Sequence, residues 1–507
     1  MSKTARLTKE ACSALRGQLR DLGYGQADAE NVELFPRRLY PVPEHLRALD
    51  PSVVFVVGPR GAGKSELFKA FFSDDEALAS AIRSHAPHGA AAELGSGTSS
   101  WKKAYPVGIH FPDSVALAQC VDTEEDAKYL WYAMLVRILA NDIPDAQRTE
   151  VEPLIAPMAA QLSDVLQAAK GLGAAPTAAL DALEQQLSEH GSWLFVGYDE
   201  LDTLGGFDWA LMARLVRGLV AFWSDYSRRW RRIRAKIFLR SDLFRRHSGM
   251  GSADFAKLAA NRAEIAWSDA ALLGMLVKRI ANTSEELADY CRKGKVHFES
   301  EATLGLVPQV QKPSDAYPLL ERFAGQHMGA GSKKGYVRNW VLDHLRDGNG
   351  QIAPRTLVRL FEQAASKDAA NRAVRPPRLI HPTAFRQALD DVSNDHVRQG
   401  ITSEWPWLAG VRNRAQSQPL VPWQRDEIEH LLDSDWGESW GGSDSSCPVR
   451  PPLDRPKEFV DYLIELGIFR QRPDGRVDVP DLYLFGLRLR RKGGVAAGRK
   501  KGRVGRR

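Results

Sequence analysis

Short runs of consecutive apolar residues stand out against a chain that elsewhere repeats its apolar positions every three or four. The first run, Val53-Val54-Phe55-Val56-Val57, is β-branched and stops at Gly58-Pro59. Such a run predicts a strand buried on both faces. From Glu66 to Phe72 the spacing turns helical, so a glycine-rich stretch lies between a strand and a helix. Tyr105 to Phe111, Trp193 to Tyr198 and Lys236 to Leu239 predict three more strands. Strands that alternate with helices imply an α/β fold with a parallel, doubly wound sheet covered on both faces.

The remaining pattern sets the expected domains. Residues 1–45 read as an N-terminal helical lead-in ending in the Pro-punctuated FPRRLYPVPEHL. Residues 46–265 form the α/β core, with residues 85–100, rich in Ala, Gly and Ser, as a mobile loop and an Ala- and Leu-rich helical insertion at 124–190. Residues 266–395 are an α-helical lid. Residues 396–487 end with a helix at 457–469 and then the segment 470–479, whose Asp474-Gly475 suits a hairpin turn. Helix followed by hairpin predicts a winged-helix-like domain. Residues 488–507 are a disordered basic tail.

Composition narrows the class. The chain has 507 residues, 44% of them hydrophobic and 26% charged, ordinary for soluble globular proteins of several domains. The net charge of +6 conceals an uneven distribution: ten basic and no acidic side chains lie in residues 488–507. The rest carries 59 basic against 63 acidic residues, so basicity belongs to the tail. Cys12, Cys120, Cys291 and Cys447 are far apart and form no C-x-x-C pair. No stretch approaches the roughly 20 apolar residues of a membrane span, and the charged N-terminus lacks the apolar core of a signal peptide. A cytoplasmic protein without a membrane partner is expected.

Gly58-Pro59-Arg60-Gly61-Ala62-Gly63-Lys64-Ser65 matches G-x-x-x-x-G-K-[ST], the Walker A loop. Glycines let backbone N–H groups curl around phosphate oxygens, and the next helix adds its positive end. In that reading Lys64 reaches the β- and γ-phosphates, Ser65 holds Mg²⁺, and Glu66 opens the helix beside them. The third predicted strand runs into Asp199-Glu200-Leu201-Asp202. Asp199 fits the metal side, through water, and Glu200 fits the base that polarises an attacking water. The fourth strand ends Arg240-Ser241-Asp242. Arg240 or Ser241 there faces the γ-phosphate, or Asp242 makes a salt bridge or helix cap; both readings stand. The run Arg228 to Arg234 is a solvated face, a phosphate-backbone contact or an arginine finger for a neighbouring subunit. Arg355 opens a lid helix where it can touch the nucleotide. The tail attracts phosphate polymers without sequence preference, or serves solubility.

The order of Walker A, strand ending DELD, strand ending LRSD, helical lid with PRTLVRLFEQA and winged-helix-like end resembles the STAND and AAA+ origin-recognition branch of bacterial P-loop ATPases. The resemblance spans about residues 35–490, with the Walker A and DELD segments its specific parts. It implies ATP and Mg²⁺ as ligands, slow hydrolysis, and a nucleotide-driven rearrangement of core, lid and winged helix. It gives Lys64 and Ser65 phosphate and metal binding, Asp199 and Glu200 the Walker B roles, Arg240 the sensor or STAND-type arginine, and Arg355 the second sensor. It further implies a nucleic-acid partner or a separate effector protein, in defence or mobile-element biology, and nucleotide-dependent homo-oligomers; the alternative reading is a DNA-binding AAA+-type module whose winged-helix-like end and basic tail hold DNA while nucleotide only sets conformation. The origin-recognition pattern has Asn, Ser or Thr at the first sensor, so Arg240 favours the STAND side.

Overall fold

The structure is a computed structural model. It describes residues 7–23, 35–87, 98–107, 111–155, 162–206, 208–248, 253–329, 331–403, 405–433, 440, 451, 453 and 456–492. The basic tail from residue 493, most of the expected loop at 85–100, and most of the 437–456 join lie outside the described residues.

The sheet has five strands: β1 (Phe55–Gly58), β2 (Ser99–Tyr105), β3 (Trp193–Tyr198), β4 (Ile233–Arg240) and β5 (Ala263–Glu264). They lie in the order β2-β3-β4-β1-β5 and every neighbouring pair is parallel. The apolar runs form the three central strands, where burial on both faces removes any need for polar alternation. Successive residues point to opposite faces. Phe55, Val57, Val196, Tyr198, Ile237 and Leu239 therefore enter one hydrophobic cluster, and Val56, Phe195 and Phe238 the other.

The second strand departs from expectation. It spans Ser99–Tyr105 rather than 105–111, and residues 108–110 lie outside the described residues. Pro106 has no N–H to continue a ladder, while Ser99 to Lys103 pair in register with Trp193 to Gly197. Being an edge, β2 is only partly buried and needs no apolar run; its Trp101 stacks on Phe195 at 4.2 Å.

Helices cover both faces. Helix α1 (Lys64–Phe71) follows the glycine-rich loop and buries Leu67, Phe68 and Phe71 against the sheet. On the other face lie α2 (Glu124–Ile138) and, from the same insertion, α3 (Ala175–Glu189), with α4 (Trp209–Tyr226). Thr123 and Asp126 form a capping box at the start of α2. From α3, Asp181 accepts from Arg229 Nε at 2.7 Å and Trp230 Nε1 at 2.9 Å. Glu184 accepts from the backbone N–H groups of Arg231, Arg232 and Ile233 at 2.7 to 3.0 Å. The insertion thus anchors the start of β4, and part of the 228–234 arginine run is committed to that anchor.

Contacts divide the chain into two units. One comprises residues 25–292 and 296–315 and holds the sheet together with α5 (Asp269–Ala281). The other comprises residues 1–24, 293–295 and 316–507. It is built on α6 (Pro354–Ser366) and α7 (Pro382–Ser403) and carries, towards its end, the helix Pro456–Glu465, an antiparallel hairpin of Arg470–Gln471 with Val477–Asp478, a short helix at Asp481–Leu484 and a strand at Arg490–Arg491 that pairs with Leu420–Val421. Buried Asp478 binds Arg470 and Arg472 at 2.8 Å and Arg491 at 2.7 Å.

Candidate nucleotide site

The loop between β1 and α1 has a backbone that the sequence demands. Gly61 and Gly63 have φ of 70° and 91°, left-handed values that a side chain resists. Gly58 is constrained differently: a β-carbon there would lie 3.0 Å from Ile265 Cβ and 3.2 Å from Ile265 O. A side chain there would push the segment leaving β5 aside by a few tenths of an ångström. Lys64 Nζ donates to Gly58 O at 3.0 Å and Pro59 O at 2.9 Å. Burial holds its pKa below the ordinary lysine value and the Arg240 charge adds to this, while Asp199, Asp202 and Asp242 oppose both.

Asp199 ends β3 with 3% exposure. Its backbone N–H donates to Tyr105 O at 2.9 Å, which fixes the strand tip. Burial raises the pKa of its carboxylate, against the opposing pull of the Ser65 side chain and of Lys64. Glu200 is exposed and sits at φ 54°, a left-handed conformation uncommon for a residue with a side chain and a frequent mark of functional strain. Thr203 Oγ1 donates to its carbonyl at 2.8 Å and stabilises the turn. The Glu200 carboxyl lies above its usual pKa through the partial desolvation of its inner side, then repulsion from Asp199 and Asp202.

Arg240 lies at the tip of β4 in register with Gly58, so it reaches the base of the loop from the strand between β1 and β3. It is 6% exposed and forks onto Asp242 at 3.1 and 2.9 Å, with a third contact to Asp202 at 3.3 Å. Of the two sequence readings of this strand end, the salt bridge is present: Asp242 makes it, and its partner is Arg240. Glu66 faces Arg279 of α5 at 3.7 Å. Arg355 is exposed in the first turn of α6, in the other unit.

Sequence reasoning did not single out Trp267. Its indole N–H donates to Ala62 O at 2.7 Å, and its ring stands edge-on to His45 at 4.9 Å. No motif marks it; its only signal is its place three residues after β5, beside the loop.

The residues fit a triphosphate with a magnesium ion. The loop supplies left-handed glycines and a lysine, and the Lys64 charge acts on the Asp199 carboxylate. Among the described residues no group of three or more His, Cys, Asp or Glu gathers as a metal cage. Mg²⁺ is ordinarily held by one or two protein oxygens together with phosphates and water, and Ser65 with Asp199 would supply such a pair.

The sheet, its helices and this loop together define a P-loop NTPase fold. No family model matches the chain, and no curated protein matches it. Among solved structures it is similar to the ORC2 protein of Aeropyrum pernix, in ADPNP–ADP complexes, at 14% identity and a TM-score of 0.28 over 93% of this chain and 98% of that one. A superposition so loose adds nothing to the fold read from the strands. Among the described residues, no helix is long and apolar enough to cross a membrane.

Proposed function

We propose that this chain is an ATP-binding, slowly ATP-hydrolysing switch of the AAA+ and STAND type. The observation that carries the reading is that the buried Asp199 carboxylate, at the tip of the acidic strand, is acted on by both the Ser65 side chain and the Lys64 charge from the end of the Walker A loop. Mg²⁺, held by Ser65 and by Asp199 through water, would supply charge neutralisation between phosphate oxygens. The 58–65 backbone, with Pro59, Arg60 and Ala62 between its glycines, orients the phosphates, and Lys64 exchanges its two carbonyl partners for phosphate oxygen. Glu200 Oε takes the proton of a water. Arg240, from the strand interposed between β1 and β3, acts as the sensor; that interposition supports the AAA+ and STAND comparison, in which a polar strand end neighbours the acidic strand. Arg355 is the second sensor in this reading. The choice of ATP over GTP and a defence or mobile-element setting follow from the resemblance of sequence motifs. So do a separate effector protein, nucleotide-dependent homo-oligomers and a cytoplasmic setting.

The test is a pair of variants. Lys64→Ala abolishes nucleotide binding in a filter or calorimetric assay. Glu200→Gln keeps binding and loses turnover by about 10²- to 10⁴-fold, the range of a lost general base. Normal hydrolysis by Glu200→Gln would remove Glu200 from its role.

A further inference from the structure

In the unit built on α6 and α7, a cavity of 420 Å³ is lined by His327, Arg375, Arg378 and His381 together with small and apolar residues, and by no carboxylate. Three features make it a surface rather than an isolated hole. The segment leading to α7 repeats a basic residue every third position: Arg372, Arg375, Arg378, then His381. The three arginines are exposed. Across from them, the Lys334 side chain lies close to Gly329 of the cavity lining, where a β-carbon would come within 3.2 Å of Lys334 Cγ; Lys333 beside it is likewise exposed.

None of Arg372, Arg375, Arg378, Lys333 and Lys334 forms an ion pair with a described residue. Their neighbours differ: Arg20 pairs with Asp368, Arg338 with Glu321 at 3.4 Å, and Arg359 with Asp395 at 2.9 Å. Arg378 is nonetheless positioned. It lies over Gly325 so closely that a β-carbon there would be 2.8 Å from its Cζ. A guanidinium seated against backbone, pointing into a basic cavity and lacking a carboxylate, matches an anion supplied from outside the chain.

Aromatic surface adjoins the charge. The His327 ring is 5.0 Å from the ring of Tyr336, which retains 36% exposure, and Arg338 covers Tyr336 at 4.4 Å and Tyr317 at 4.5 Å. A free inorganic anion has no use for rings, and an acidic peptide would meet the charge alone. An extended array of cations interleaved with partly exposed rings is the arrangement that tracks a single-stranded backbone while its bases stack.

We infer that this face binds single-stranded nucleic acid, its phosphates held by Arg375, Arg378 and their basic neighbours and its bases stacked on the His327 and Tyr336 rings. The inference names a partner for the proposed switch but stands without nucleotide turnover, because none of these residues belongs to the site at 58–65.

The test uses the full chain and fluorescence anisotropy of a labelled single-stranded oligonucleotide, titrated between about 50 and 200 mM salt. Arg375→Ala/Arg378→Ala is expected to weaken binding about 10-fold or more. It also makes the slope of log affinity against log salt shallower by about 1.4, because each phosphate contact to a single strand contributes about 0.7. Tyr336→Ala weakens binding several-fold and leaves the slope unchanged. Both variants keep wild-type ATP turnover and melting temperature, which separates this outcome from a failed nucleotide site or a misfolded chain. Unchanged affinity and slope in the double variant would overturn the inference and place binding elsewhere, as would no binding by the wild type. Displacement of the oligonucleotide by polyglutamate at equal charge concentration would overturn it in favour of an acidic protein.

Discussion

Arg240 and the arginines at 372, 375 and 378 are the same residue in opposite circumstances. Arg240 is buried and clasped by Asp242 and Asp202, whereas the 372–378 group is exposed and its described surroundings supply no carboxylate partner. An arginine whose counter-charges are encoded in the chain fixes geometry. One without them recruits its counter-charge from a partner. The difference is therefore in the carboxylates that surround the guanidinium, and variants that alter those carboxylates or the arginines test it.

The largest effect is expected where the clasp is broken. Arg240→Met leaves Asp202 and Asp242 without their cation and is expected to cost about 3–5 kcal/mol of folding stability, read by urea denaturation. Adding Asp242→Asn to that variant restores part of the loss. A stability loss below 1 kcal/mol in Arg240→Met would place Arg240 with the exposed group and break the comparison.

Acid offers a second, smaller test through Asp478, clasped by three arginines in the other unit. Its burial alone would raise its pKa, but the bonds from Arg470 and Arg472 and the charge of Arg491 leave it below the ordinary value. A carboxyl whose folded pKa is depressed contributes stability above its unfolded pKa, near 3.9, and loses it as pH falls through the folded one. Denaturation midpoints should therefore drop below about pH 4 in the wild type, and Asp478→Asn should flatten that limb. An unaltered acid limb would show that clasped arginines carry no pH-sensitive stability.

The smallest effect sharpens the contrast from the other side. Arg375→Ala/Arg378→Ala is expected to leave folding stability within about 0.5 kcal/mol, as for surface substitutions free of internal partners. A larger loss, measured by the same denaturation, would mean that the group has internal counter-charges after all.

The contrast also explains what could be read from the sequence. The geometry of the candidate site was legible because its requirements are local: glycines at 61 and 63 for left-handed backbone, an apolar run before them, and a carboxylate where another apolar run stops. The central strands were legible for the same reason. Strand β2 was misplaced because an edge strand needs no apolar run, and Ser99 to Lys103 carry little hydrophobic signal. The Arg228–Arg234 run drew attention by its density, yet Arg229 is matched by Asp181, 48 residues earlier. The pairing is long-range and leaves no trace in local pattern. The 372–381 series has a regular spacing that was visible, but its lack of carboxylate partners emerges only in three dimensions. Trp267 belongs to the same class, since nothing near it in sequence points to Ala62.

That tryptophan has a mechanical consequence. The Ala62 carbonyl is grasped from the stretch joining β5 to α5, so the glycine-rich loop is tethered to the strand edge as well as to its own helix. A ligand that reshapes the loop must pull on this tether or release it. Either way, movement passes directly to the segment that opens α5, where Trp267 lies two residues before the helix.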